Sequence, residues 1–140
     1  MSNIAVVYWS GTGNTEAMAM AVAEGAKSKG AEVSVIAAVE FSAEQIGNYS
    51  AIAFGCPSMG SEQLEESEFE PMFTACEGRL SGKNIALFGS YGWGSGEWMR
   101  SWEARCDDAG ANLACDSVIC NETPDEDALS ACRNLGASLA

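Results

Sequence analysis

Three short segments carry the residue types that can hold a small anionic or planar molecule. The first, Ser10-Gly11-Thr12-Gly13-Asn14-Thr15, packs three hydroxyls, two glycines and an amide into six positions. Backbone N–H groups opened by glycine, joined by hydroxyl and amide donors, are what cradling a phosphate requires. The loop is not a Walker A sequence, because no Gly-Lys-Ser/Thr follows it. Nor is it a dinucleotide fingerprint, because Glu16 stands where the third glycine would be. No Lys or Arg precedes Lys27, so a phosphate here must be held by neutral donors and a helix terminus, with Glu16 leaning away. A cofactor monophosphate fits such a cradle better than a triphosphate.

The other two segments suit a planar ring. Tyr91-Gly92-Trp93-Gly94-Ser95-Gly96 sets aromatics among glycines, which leave the Trp93 ring exposed and the backbone open to close approach. Pro57-Ser58-Met59-Gly60-Ser61-Glu62 offers a thioether able to cover a ring face, a glycine able to reach positive φ, and a carboxylate acceptor for a ring N–H. Trp98 and Trp102 fall instead on helical spacing and are expected to pack in the core.

The elements that position these segments follow from hydrophobic periodicity. Ile4–Tyr8, Val33–Ile36, Ala51–Phe54, Ile85–Phe88 and Ser117–Ile119 are short, nearly continuous apolar runs, the pattern of parallel strands covered on both faces. Met18, Ala21, Val22 and Gly25 have helical spacing between the first two runs, as do Trp98 and Trp102 after the fourth and Ala128, Leu129, Cys132, Leu135 and Leu139 at the C-terminus. The stretches expected to be irregular are 10–14, 57–63, 90–96 and 121–123, and the first three directly follow strands. In an open parallel sheet the ligand crevice lies beyond the carboxyl ends of the strands, so these three loops define one site.

Composition narrows the function further. A chain of 140 residues with 47% hydrophobic content suits one domain spanning 1–140. Twenty acidic against seven basic residues give a formal charge of −13, which repels nucleic acid and anionic membrane and favours basic partners. No apolar run is long enough to span a bilayer and no basic leader region precedes the first strand, so a cytoplasmic protein is expected. Six cysteines without a C-x-x-C pair read as free thiols. The absence of histidine removes the commonest general base and imidazole-bound metal, so a cofactor is expected to carry the chemistry, with no catalytic residues and no metal site.

With these residues in order, the chain resembles the short-chain flavodoxins of clostridial type. Trp9-Ser10-Gly11-Thr12-Gly13-Asn14-Thr15, Met59-Gly60-Ser61-Glu62 and Ser90-Tyr91-Gly92-Trp93-Gly94 look like that family's three FMN-binding loops, at matching spacing over essentially the whole chain. The resemblance implies an α/β, doubly wound three-layer sandwich around a five-stranded parallel sheet of order 2-1-3-4-5, without the insertion that interrupts the last strand of long-chain members. It implies that Ser10, Thr12, Asn14 and Thr15, with the Gly11 and Gly13 backbone, hold the FMN phosphate. Trp93 would stack on one flavin face and Met59 lie against the other. Glu62 would accept from the flavin N3–H, and the Gly60–Ser61 peptide would turn over on one-electron reduction. Ser61 stands where relatives often carry Asp or Asn, and Pro57 offers no N–H or hydroxyl beside Ser58. The implied function is a monomeric, low-potential one-electron carrier cycling between semiquinone and hydroquinone and linking redox enzymes that have basic docking surfaces. The run Glu62, Glu65, Glu66, Glu68 and Glu70 would supply both the negative field and the docking face.

Three alternatives arise from other classes. A small FMN-dependent NAD(P)H or quinone reductase needs an open pocket beside the flavin, which Trp93 and Met59 would cover. A phosphoacceptor receiver domain needs acidic residues after the first and third strands, where Tyr8-Trp9 and Gly55-Cys56 stand. A thiol redox sensor would place Cys56 near the site as its reactive group.

Overall fold

A computed structural model describes residues 2–140. Strands β1 (Asn3–Tyr8), β2 (Glu32–Ala37), β3 (Ala51–Gly55) and β4 (Asn84–Tyr91) lie parallel, joined at the far edge by β5 (Asn112–Leu113) and β6 (Val118–Asn121), both pairing with β4. The order is β2-β1-β3-β4-β5, with β6 continuing the edge. The expected single fifth strand is thus two pieces. Between the pairs Ile85↔Leu113 and Phe88↔Val118, three steps along β4 are matched by five along the edge strand, so two residues bulge out. That bulge interrupts the strand without any long insertion. Pairing with β6 also carries β4 through Ser90 and Tyr91, so these residues are strand and not loop, and Asn121 is likewise strand.

The central strands β1, β3 and β4 are almost continuously apolar because both faces are covered. Alternate side chains feed two cores. Ala5, Val7, Ile52, Phe54, Ile85 and Leu87 meet α2 (Phe69–Glu77) and α3 (Glu97–Asp108); Ile4, Val6, Ala53 and Phe88 meet α1 (Asn14–Lys27) and α4 (Glu126–Leu139). Trp98 and Trp102 are core residues as expected, each 1% exposed. Helix α2 went unread in the sequence, although Phe69, Met72, Phe73 and Cys76 bury one helical stripe. Two 3-10 segments, Ala38–Glu40 and Ala43–Asn48, fill the crossover between β2 and β3.

Helices α1 and α4 approach until their backbones touch. A Cβ on Gly25 would lie 1.8 Å from the Arg133 carbonyl oxygen, and one on Gly136 would lie 1.9 Å from that of Val22. Only glycine fits at this crossing, and α1 must be held here because its other end opens the first loop. Gly136→Ala is therefore expected to force the helices apart at a cost of about 1–3 kcal/mol. A lowered urea midpoint with an unchanged m-value checks it.

Candidate functional site

Loops 9–14, 56–63 and 92–96 leave adjacent strands on one edge of the sheet. Ladder bonds continue past the strands into them: Trp9 N–H donates to the Gly55 carbonyl at 3.0 Å, Cys56 N–H to that of Phe88 at 3.1 Å, and Ser58 N–H to that of Ser90 at 3.0 Å.

In the first loop the chain turns at Gly13, φ 97°, directly into α1. The first-turn N–H groups of a helix have no intrahelical carbonyl to meet. Ser10 Oγ accepts from the N–H of Gly13 at 3.1 Å and of Glu16 at 3.2 Å, and the N–H groups of Asn14 and Thr15 lie between these two at the helix start. Glu16 does lean away: the Tyr8 hydroxyl donates to its carboxylate at 3.1 Å. Burial, then that hydrogen bond and the Glu16 charge, raise the Tyr8 pKa. A cleft of about 290 Å³ opens beside the loop, lined by Tyr8, Trp9, Ser10, Gly13, Glu16 and Glu68. A larger one, about 660 Å³, lies among Asn3, Lys27, Glu32 and Tyr49 at the amino edge, away from all three loops, and has no phosphate-type donor loop.

Gly11, Thr12 and Gly13 are exposed and Ser10 and Asn14 half-buried. Thr15 is the exception at 1% exposed; its hydroxyl sits 3.3 Å from that of buried Ser90 and braces the first loop against β4. Trp93 is 62% exposed and Met59 37%, both large apolar groups left open at the site's mouth. Gly60, Ser61, Gly92 and Gly94 are exposed, and Pro57, Ser58, Glu62 and Tyr91 half-buried. Met59 and Gln63 exchange reciprocal backbone hydrogen bonds of 2.8 Å, closing a turn whose Gly60 and Glu62 have φ of 50° and 53°.

The acidic run divides in a way the sequence did not show. Glu65, expected on the solvated docking face, is 6% exposed and folds back onto the start of α2. Its carboxylate accepts from the N–H groups of Ser67, Glu68 and Phe69 and from the Ser67 hydroxyl. Its own N–H donates to Cys56 Sγ at 3.3 Å. Glu70 is held by Arg105, which also takes Glu77. Glu68 accepts from the Trp9 indole N–H at 2.8 Å, and Glu66 stays exposed. Trp9, whose ring lies against Gly11, and Glu65, which caps α2, thus brace the loops from beneath, roles that their neighbours in sequence do not signal.

Cys56 is fully buried, and burial pushes its thiol pKa far up, so it is not a reactive sensor. All six cysteines are free. No helix among the described residues is long and apolar enough to cross a membrane.

Comparison with known proteins decides the family. The flavodoxin family matches residues 6–136. The chain is 44% identical to a flavodoxin of Megasphaera elsdenii, over 98% of each chain, and 43% identical to one of Clostridium beijerinckii, over 96% of this chain and 97% of that one. The solution structure of two-electron reduced Megasphaera elsdenii flavodoxin superposes with a TM-score of 0.90 at 45% identity, covering 97% of each chain.

The chain belongs to the flavodoxin family. It is accordingly an FMN-binding electron-transfer protein and not an enzyme. The residues present fit the cofactor: unpaired helix-start donors without a cation suit a phosphate monoester, and the exposed Trp93 and Met59 suit a planar ring that would cover them.

The Glu65 carboxylate carries a pH dependence. Burial alone would raise its pKa, but the Ser67 hydroxyl and the N–H groups of Phe69, Glu68 and Ser67 outweigh it and hold the group below its ordinary value. A depressed pKa contributes stability above the unfolded-state value that is lost as pH falls through the folded-state value. Glu65→Gln is expected to cost about 1–3 kcal/mol at neutral pH. Urea titrations should show that gap closing as pH drops below the ordinary carboxylate range.

Proposed function

We propose that this flavodoxin holds FMN across the three loops and serves as a low-potential one-electron carrier between redox enzymes. The observation that carries the reading is Trp93, a tryptophan with 62% of its surface open between two glycines. A ring so placed offers a flat apolar face on which a planar ring can stack. Ser10, Thr12 and Asn14, with the N–H groups of Gly11, Gly13 and the first turn of α1, bind the phosphate, and Thr15 and Ser90 form the floor beneath it. Trp93, flanked by Gly92 and Gly94 and backed by Tyr91, lies on one ring face and Met59 on the other. Pro57 and Ser58 line the ribityl side, and Glu62 accepts the ring N3–H.

When bound, FMN supplies two separable one-electron steps. With FMN bound, the carbonyl of the Gly60–Ser61 peptide would be the group able to accept from a protonated ring N5, which would hold the two steps apart. Gly60 permits the turn this needs, since its φ of 50° resists a Cβ. An ordinary hydrogen bond of this kind contributes ~1–1.5 kcal/mol.

The local carboxylates make the second electron harder to add. A unit charge ~10 Å away at an effective dielectric of ~40 costs roughly 0.8 kcal/mol, or ~35 mV, before salt screening. Glu66 and Glu68 are exposed and have no basic partner among the described residues, so they supply this field and a docking face for basic partners, whereas Glu65 and Glu70 are consumed within the fold. The carrier works in the cytoplasm as a monomer with transient partners; six free thiols suit a reducing compartment.

An anaerobic reductive titration of the yellow protein should pass through a long-wavelength absorbance band before bleaching. Direct bleaching would favour a two-electron reductase, and a protein that FMN cannot tint would remove the reading. Glu66→Gln should raise the more negative midpoint potential by roughly 10–40 mV at low salt, and less at ~0.5 M salt. Spectroelectrochemistry at both ionic strengths measures it.

A further inference from the structure

Glu62 joins two loops that come from distant parts of the chain. Its Oε1 accepts the backbone N–H of Glu97, the first residue of α3, at 3.0 Å. Its backbone lies at φ 53°, a conformation that costs a residue bearing Cβ about 1–2 kcal/mol. The segment around the carboxylate is shaped to receive it. Gly94 has φ 90°, and a Cβ there would lie 2.5 Å from the Glu62 carboxyl carbon. Gly96, φ 88°, then turns the chain so that the Glu97 N–H points back at Glu62. Strain on one loop and two left-handed glycines on the other converge on a single carboxylate.

We infer that the Glu97 backbone N–H is the positioning group for Glu62. It occupies Oε1 and fixes the carboxylate plane, so that Oε2 alone is presented to the ring N–H. A carboxylate so held has only an acceptor to offer, and it selects a ring that carries a proton at N3. Turn 59–63 and loop 92–96 are also tied by this bond, so the two loops flanking the ring move as one body. The inference rests on the reading that Glu62 accepts the N3–H of FMN.

The test compares the binding of FMN with that of N3-methyl-FMN, which lacks that proton, by fluorescence titration. Glu97→Ala removes the side chain and its exposed pairing with Arg100 but keeps the N–H. Glu97→Pro also removes the N–H, at the first helical position, where proline is tolerated. The wild-type protein and Glu97→Ala are expected to prefer FMN by about tenfold or more, and Glu97→Pro to lose most of that preference. A merely structural role for the N–H would weaken both flavins equally and leave the ratio unchanged, which would overturn the inference. A wild-type protein without preference would instead overturn the reading of Glu62 on which it rests. Should Glu97→Pro fail to fold, amide exchange at Glu97 decides. It is expected to run about tenfold faster in Glu62→Asp, whose carboxylate is one methylene short, and equal rates would refute the bond.

Discussion

Three backbone hydrogen bonds at the carboxyl edge of the sheet hold the whole arrangement in place. The N–H groups of Trp9, Cys56 and Ser58 continue the β1–β3 and β3–β4 ladders by one or more residues beyond the regular strands. They fix where each loop leaves the sheet, and a parallel ladder allows only one register once both faces are buried. Because β1, β3 and β4 are neighbours, the donor loop, the Met59 turn and the Trp93 loop leave the sheet side by side. The close packing beneath them enforces the same register: a Cβ on Gly89 would lie 2.1 Å from the Cys56 carbonyl oxygen, and Trp98 donates to that oxygen at 3.1 Å.

The donor loop resolves a conflict set by composition. A chain with a formal charge of −13 must hold a phosphate without any cation in its first 26 residues. What the first loop offers instead is dipoles: Gly13 delivers the chain into α1, and Ser10 takes only two of the N–H groups at the helix start. The one carboxylate in the first turn, Glu16, is drawn aside by Tyr8. A donor loop without cations leaves the acidic exterior intact, including the exposed carboxylates of Glu66 and Glu68.

Most of the frame was legible because both of its signals are local. Apolar runs bounded by glycine and hydroxyl residues mark β1, β3 and β4, and the glycine-rich stretches after them mark the loops. What was not legible depends on contacts between distant residues. Glu65 reads as one of five surface carboxylates until the chain folds back and gives it three backbone donors. Glu70 reads as unpaired until α3 brings Arg105 across 35 positions. Helix α2 is obscure for a different reason: its stripe of Phe69, Met72, Phe73 and Cys76 spans only nine residues, carries Pro71 in its first turn and has no side-chain cap of its own at Glu68. The split of the edge strand into β5 and β6 rests on a two-residue bulge, which has no sequence signature of its own.

The unfavourable features of the molecule gather where the reading of function needs them. The interior is packed and its polar groups largely paired, whereas the loops carry an open tryptophan, an open methionine and a left-handed glutamate. A fold optimised for stability alone would bury the first two and relax the third. Trp93 and Met59 leave large apolar surface open to solvent. Glu62 accepts strain to reach the start of α3, and that contact ties the Met59 turn to the Trp93 loop. Such costs persist only because the surrounding ladder bonds and the Glu65 cap leave those loops no easier conformation, so the rigidity of the frame is what allows the site to remain poised.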